Sequence, residues 1–182
     1  MFTSATIFEP FAMMGATSGS ALTCALVVEE GFLRSDLDRI YASIRDTCRE
    51  AGTRIVTGDT KVMGRGELDG VMLNTTGVAV CRRVVRDSGL SPGDLIIVTG
   101  TMGDHGMAIM AARHTLALEG DLRSDVAPLN GLVQAALDAG GDAVVALKDP
   151  TRGGLSSALH EMAEKGGVGI LVEELKVPVR PE

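Results

Sequence analysis

Aromatic residues are nearly missing from this 182-residue chain: four Phe, one Tyr and no Trp. Its core must be assembled from Val, Leu, Ile, Ala and Met. Basic charge is also short, with 17 Lys and Arg against 24 Asp and Glu and a net charge of −7. That balance argues against a nucleic-acid backbone as the main partner, because phosphate chains are held by clustered cations. It leaves a nucleotide possible, since one glycine loop and one cation can hold it. Only three cysteines occur, Cys24, Cys48 and Cys81, with no C-x-x-C pair. Two of them sit in apolar, periodic surroundings, so buried thiols in a reducing compartment are the default reading. No apolar run approaches the ~20 residues of a membrane span. The N-terminal stretch lacks a basic region and carries Glu9, so it does not read as a signal peptide. A soluble, cytoplasmic protein is expected. H-E-x-x-H and G-x-S-x-G motifs are absent too, which leaves zinc and serine hydrolases poorly supported.

The apolar content of 45% is enough for a folded α/β protein. Residues 22–29, LTCALVVE, read as a strand. A helix follows, with Ser35 as N-cap, Leu37, Ile40, Tyr41, Ile44 and Cys48 at helical spacing, and Gly52 as its stop. RIVTG (54–58) reads as a strand delivering GDTKVMGRGELDG to a loop, and residues 71–80 as another strand with Gly77 at a weak point or bulge. The cluster SGLSPGD (88–94) marks a boundary, placing the domains at 1–85 and 86–182. In the second half, 94–100, 142–149 and 168–175 read as buried strands. The first two of these each feed a glycine loop and a helix, and another helix is expected over about 128–139, opened by Pro128.

Three groups of residues could carry chemistry. In T57-G-D-T-K61, Gly58, Asp59, Thr60 and Lys61 combine amides, a hydroxyl, a carboxylate and an ammonium, a set suited to polyphosphate with Mg²⁺. The plainer reading is a polar turn with a surface lysine, and on composition alone it is the better one. In G100-T-M-G-D-H-G106, Gly103 and Asp104 open a helix. Glycine amides there can bind an anion, but close packing and a capping Asp104 explain the residues equally well. His105 in that loop is a candidate ligand contact; Met102, Met107 and Met110 are most simply core. In D149-P-T-R-G-G154, Asp149 ends a strand, where open α/β sheets place ligands. Arg152 could clamp a phosphate, and Gly153 and Gly154 let the backbone approach it. Here the chemical reading outweighs a plain turn, because four unusual residues converge on one strand end.

Taken together, TGDTKV with its following glycines and NTTGV, then SPGDLIIVTGTMGDHGMAIM, then DPTRGGLSSALHEMA, resemble the HypE family of hydrogenase maturation factors. That family lies in the PurM-like, AIR-synthetase-related ATP-binding superfamily. The likeness runs from about Ala12 to Pro178. It implies a two-domain PurM-like α/β (α+β) architecture, here incomplete. It also implies an ATP- and Mg²⁺-dependent carbamoyl dehydratase, in which HypF loads a C-terminal cysteine with a carbamoyl group. The γ-phosphate of ATP then activates the carbamoyl oxygen, and its loss leaves a thiocyanate for the cyanide ligands of [NiFe]-hydrogenase, passed on through HypC and HypD. On this likeness Lys61 stands near the reacting carbamoyl or phosphate, Asp59 and Thr60 in the nucleotide loop, Asp149 on Mg²⁺, and Arg152 with its glycines along the same pocket.

The sequence departs from the family pattern at both ends. Glu9 and Pro10 stand where the family has Asn and Asp, the N-terminal acidic motifs are not seen, and no cysteine closes the chain. These departures predict a form cut at both ends, with weak or absent nucleotide binding, and open sheet edges that invite a homodimer or a completing partner. The rival expectation from another class is a non-catalytic assembly protein that keeps the dimer surface. Another PurM-like enzyme, such as a selenophosphate synthetase, is the remaining alternative, and Lys61 directly after Thr60 speaks against it.

Overall fold

The computed structural model describes residues 9–114 and 122–180. They form two compact units, one of residues up to Val84 together with Ala127–Gly141, the other of Val85–Val126 with Asp142 onward.

The first unit contains α1 (Glu9–Met13), β1 (Ala21–Glu29), α2 (Arg34–Glu50), β2 (Arg54–Met63) and β3 (Val71–Val78). The three strands make one sheet in the order β2-β1-β3, with β2 parallel and β3 antiparallel to β1. Even-numbered residues of β1 point to one face, where Leu22, Leu26 and Val28 are buried. Helix α2 covers that face with Ile40, Ile44 and Cys48, which cluster with Leu22 and with partly buried Phe11, Phe32, Ile55 and Val71. The core is thus aliphatic with two Phe rings at its margin. Helix α2 begins at Arg34 after Leu33, with no side-chain cap, so Ser35 lies in the first turn and not at the cap. It stops as expected: Gly52 has φ +64°, and the Thr53 N–H donates to the Cys48 carbonyl at 2.9 Å.

The β2–β3 connection crosses the end of β1, and Glu29 fastens it. The Glu29 carboxylate accepts the backbone N–H of Gly66 at 2.7 Å and of Gly70 at 3.1 Å. The Glu29 N–H in turn donates to the Gly70 carbonyl at 2.8 Å. These amides, followed by the nearby Arg65 guanidinium, hold the Glu29 carboxyl below its ordinary pKa.

From the second half of the sequence, α4 (Asn130–Gly140) belongs to this same unit. It starts two residues later than Pro128 suggested. Its Asn130 amide donates to the Ala51 carbonyl at 3.2 Å, tying it to the end of α2. Val133 is buried, and Thr17 and Gln134 are hydrogen-bonded side chain to side chain.

The second unit holds α3 (Asp104–His114) and α5 (Gly154–Gly166). The helix expected here, MAIMAARHTLAL, runs on past His114 over residues 115–118, which lie outside the described ones. Segments 94–100, 142–149 and 168–175, expected as buried strands, form no β-ladder among the described residues. A strand is defined by the partner that takes its amides and carbonyls, and none of the described residues does so here. Leu95 and Leu171 are 91% and 90% exposed, so no layer covers them among the described residues. The two strand–loop–helix units therefore survive as loop and helix only. An ion network joins Lys165 to Asp87 at 2.6 Å and Lys148 to Glu161 at 2.9 Å.

Two outcomes test this picture. A Cβ at Gly58 would overlap the Cys24 backbone carbonyl, so Gly58→Ala should destabilise the protein by about 1–3 kcal/mol; an unchanged urea midpoint would contradict the pairing of β1 with β2. Because the folded-state pKa of Glu29 is depressed, its contribution is complete above the unfolded value of about 4.3 and is lost as pH falls through the lower folded value. The stability gap between wild type and Glu29→Gln should therefore be constant at neutral pH and close below about pH 4, as read by thermal unfolding across pH.

Candidate functional site

The residues Asp59, Thr60 and Lys61 do not lie in a loop, as the sequence suggested, but inside β2. Their orientation is set by a register shift between Leu22 and Thr23 of β1. Leu22 pairs with Ile55 whereas Thr23 pairs with Thr57, so Val56 is an extra residue. Without it, Thr57, Asp59 and Lys61 would follow Ile55 onto the face covered by α2. The bulge turns them to the uncovered face instead, beside Thr23, Ala25 and Val27. Thr60, opposite buried Leu26, goes the other way, and its hydroxyl lies 3.5 Å from that of Tyr41 on α2. The structure thus keeps Asp59 and Lys61 together and separates the Thr60 side chain from them. The Thr60 N–H donates to the Asp59 carboxylate at 2.9 Å.

The same register extends across β3. Ala25 pairs with both Asp59 and Asn74, Val27 with Lys61 and Met72, and Thr23 with Thr57 and Thr76. In the sequence Asn74 and Thr76 stand out only as part of a strand and of the NTTGV stretch that carries the family likeness, with no role of their own. The available signal was an Asn within a β pattern, where that residue is depleted. Gly58, on the α2 side opposite Cys24, has a packing role, since any side chain there meets the Cys24 carbonyl.

In the second unit, the glycine loop at 100–106 does open a helix. Gly103 is exposed with φ +93°, and Asp104 is buried at 4% exposure. The Asp104 carboxylate accepts from the Thr101 hydroxyl and from the Arg180 guanidinium, each at 2.7 Å. The Thr101 bond, then the Arg180 bond and charge, hold its pKa below the ordinary value, against the opposing effect of burial. Together with the Met102 N–H on the Pro178 carbonyl at 2.8 Å, this fastens the loop to the segment 178–180. The His105 ring sits 2.9 Å from the Ser124 hydroxyl. Met107 and Met110 are about half exposed, at 48% and 52%, and not core as expected.

The third group also lies in this unit. Asp149 is half-buried and accepts the Thr151 hydroxyl at 2.9 Å. Arg152, Gly153 and Gly154 are consecutive left-handed residues, with φ of +46°, +86° and +63°. Glycine takes this conformation freely, but for Arg152 it is strained. The segment expected to end in a strand thus delivers an exposed guanidinium, two exposed glycines and the start of α5. Lys61 belongs to the first unit and Asp149 to the second.

Among the described residues no group of three or more His, Cys, Asp or Glu side chains could hold a metal ion by itself. A single carboxylate such as Asp149 does fit Mg²⁺ arriving with phosphate oxygens, since that ion is commonly held by one or two carboxylates plus its substrate. A hollow of about 410 Å³ beside Glu29, Glu30, Asp36 and Arg65 has more acids than bases, the wrong balance for a polyphosphate. No helix among the described residues is long and apolar enough to cross a membrane.

Against known proteins, the chain matches the profiles for AIR synthase related protein, N-terminal domain, over residues 5–81, and AIR synthase related protein, C-terminal domain, over residues 91–182. It is 47% identical to the carbamoyl dehydratase HypE of Rhodobacter capsulatus over 163 residues, which are 88% of this chain and 48% of that protein. The chain spans about half the length of the curated relatives it matches. A crystal structure of the hydrogenase maturation protein HypE in complex with ATP superimposes with a TM-score of 0.93 at 39% identity, covering 98% of this chain and 53% of that one. A HypE–HypF complex superimposes with a TM-score of 0.92 at 41% identity, covering 98% and 58%. With both domain profiles matched in order and the fold reproduced over nearly its whole length, the chain belongs to the AIR synthase related protein family.

Proposed function

We propose that this chain carries the nucleotide-handling part of a HypE-type carbamoyl dehydratase. The reaction would take an S-carbamoyl cysteine to a thiocyanate with ATP as the dehydrating agent, for the cyanide ligands of [NiFe]-hydrogenase. The observation that carries this is the superposition of 98% of the chain on a HypE that holds ATP. On this reading Lys61 neutralises charge on the carbamoyl oxygen as it takes up phosphate, with Asp59 beside it on the open face of the sheet. Asp149 would hold Mg²⁺, which neutralises phosphate charge when bound. Arg152, Gly153 and Gly154 would meet the phosphates with a guanidinium and bare backbone, and Gly58, Thr60, Gly103 and Asp104 would shape the strand and loop that face the nucleotide. Phosphoryl transfer of this kind depends chiefly on positioning and charge neutralisation. HypF is the expected partner, in line with the HypE–HypF complex; a homodimer and delivery to a HypC–HypD complex in the cytoplasm complete the proposal.

A second reading, a non-catalytic assembly protein, draws on the exposed aliphatic side chains Leu95, Ile97, Leu171 and Leu175. Calorimetric titration of the chain with ATP and Mg²⁺ separates the two. Dehydratase ancestry retained as function predicts saturable binding, weakened about tenfold or more by Lys61→Ala and by Asp149→Ala. The Asp149→Ala loss should be largest with Mg²⁺ present and small in its absence. Absence of any binding heat in the wild type would leave the assembly reading.

A further inference from the structure

The sheet face that carries Asp59 and Lys61 is uncovered among the described residues, and its register defines a trough. Asp59 on β2 and Asn74 on β3 both pair with Ala25, so they stand on either side of the smallest side chain in that row. Neighbouring strands lie about 4.8 Å apart, which places the two walls about 9–10 Å from each other. The side chains of Asp59 and Asn74 rise from those two backbones, with only the Ala25 methyl between them. The next row continues it, with Val27 as floor between Lys61 and Met72, and the previous row closes it with Thr57, Thr23 and Thr76. Asn74 and Lys61 are exposed, and neither has a side-chain partner among the described residues. An amide in mid-strand gains nothing from β propensity, and no turn or cap there uses it.

We propose that Asn74 is a positioning residue for the carbamoyl group of the substrate, across the Ala25 floor from Asp59 and Lys61. This rests on the reading of Lys61 as the cation beside the reacting carbamoyl. A primary carboxamide offers one acceptor and two donors in a plane, and the Asn74 amide offers the complementary pair. Its carbonyl takes an N–H of the carbamoyl nitrogen, which turns the carbamoyl oxygen toward the β2 side and the Lys61 ammonium. Thr76 and Thr57 bound the trough at one end.

The test uses the whole chain and N-acetyl-S-carbamoylcysteine methylamide as probe, with the S-methyl analogue as control. Probe and ATP affinities are measured separately by calorimetry on wild type, Asn74→Ala, Asn74→Asp and Asn74→Gln, with thermal midpoints to monitor folding. Asn74→Ala and Asn74→Asp should weaken probe binding about tenfold, the loss of one or two hydrogen bonds. Asn74→Gln should recover part of it, while ATP affinity, S-methyl affinity and the midpoints stay at wild-type values. Equal probe affinity in all four proteins overturns the proposal, as does a wild type that binds ATP but not the probe. A parallel fall in probe and ATP affinity with a lowered midpoint also overturns it, since that is the mark of a structural role. Loss of ATP binding in the wild type is a different failure, and it removes the dehydratase reading itself.

Discussion

A single extra residue governs which chemistry this sheet presents. Strand residues alternate faces with a period of two, so inserting Val56 opposite the Leu22–Thr23 step exchanges the faces of everything after it in β2. Ile55 before the shift packs toward α2, and Thr57, Asp59 and Lys61 after it point away. Had the ladder run straight, Asp59 and Lys61 would have shared the α2 side with Ile55, and the face beside Thr23, Ala25 and Val27 would have lost both charges. The core under α2 and the polar open face thus come from one irregularity.

That arrangement depends on β2 and β3 being held at a constant offset from β1, and the work falls to one carboxylate. Glu29 receives two backbone amides of the crossing loop and returns its own N–H to Gly70. The hydrogen bonds run between a charged acceptor and neutral amides, the stronger class of such bonds. The glycine loop of the second unit repeats the principle with different parts. There Asp104 is the fixed carboxylate, with Thr101 and Arg180 as donors. Each unit uses an acid to hold a glycine-rich segment still, leaving other groups to face solvent.

Legibility from sequence followed the range of the interactions involved. Strand β1, helix α2 and its Gly52 stop are local patterns, and they are where the periodicity placed them. The likeness to hydrogenase maturation factors, carried by T-G-D-T-K, N-T-T-G and D-P-T-R-G-G, pointed to the family that the domain profiles and the solved structures support. The bulge was not readable, because register depends on a partner strand distant in sequence. For the same reason the sequence groups Thr60 with Asp59 and Lys61, and it does not show that Asn74 stands across Ala25 from Asp59. The apolar runs near 95, 145 and 171 have strand composition, but composition cannot supply a ladder partner, and among the described residues none is formed. Arg152 was singled out for its charge; its left-handed backbone could not be inferred from residue type, which argues against it.

The Asp59–Thr60 contact has a bearing on solubility. Strand β2 lies at a margin of the sheet formed by the described residues, and the Thr60 amide there donates to the neighbouring Asp59 carboxylate. A donor already engaged, with a negative charge in front of it, is a poor template for an incoming strand. The side chain that marks the polar trough therefore also blunts the sheet margin against fibril-like stacking, so neutralising it would expose the protein to self-association through β2 before any loss of fold.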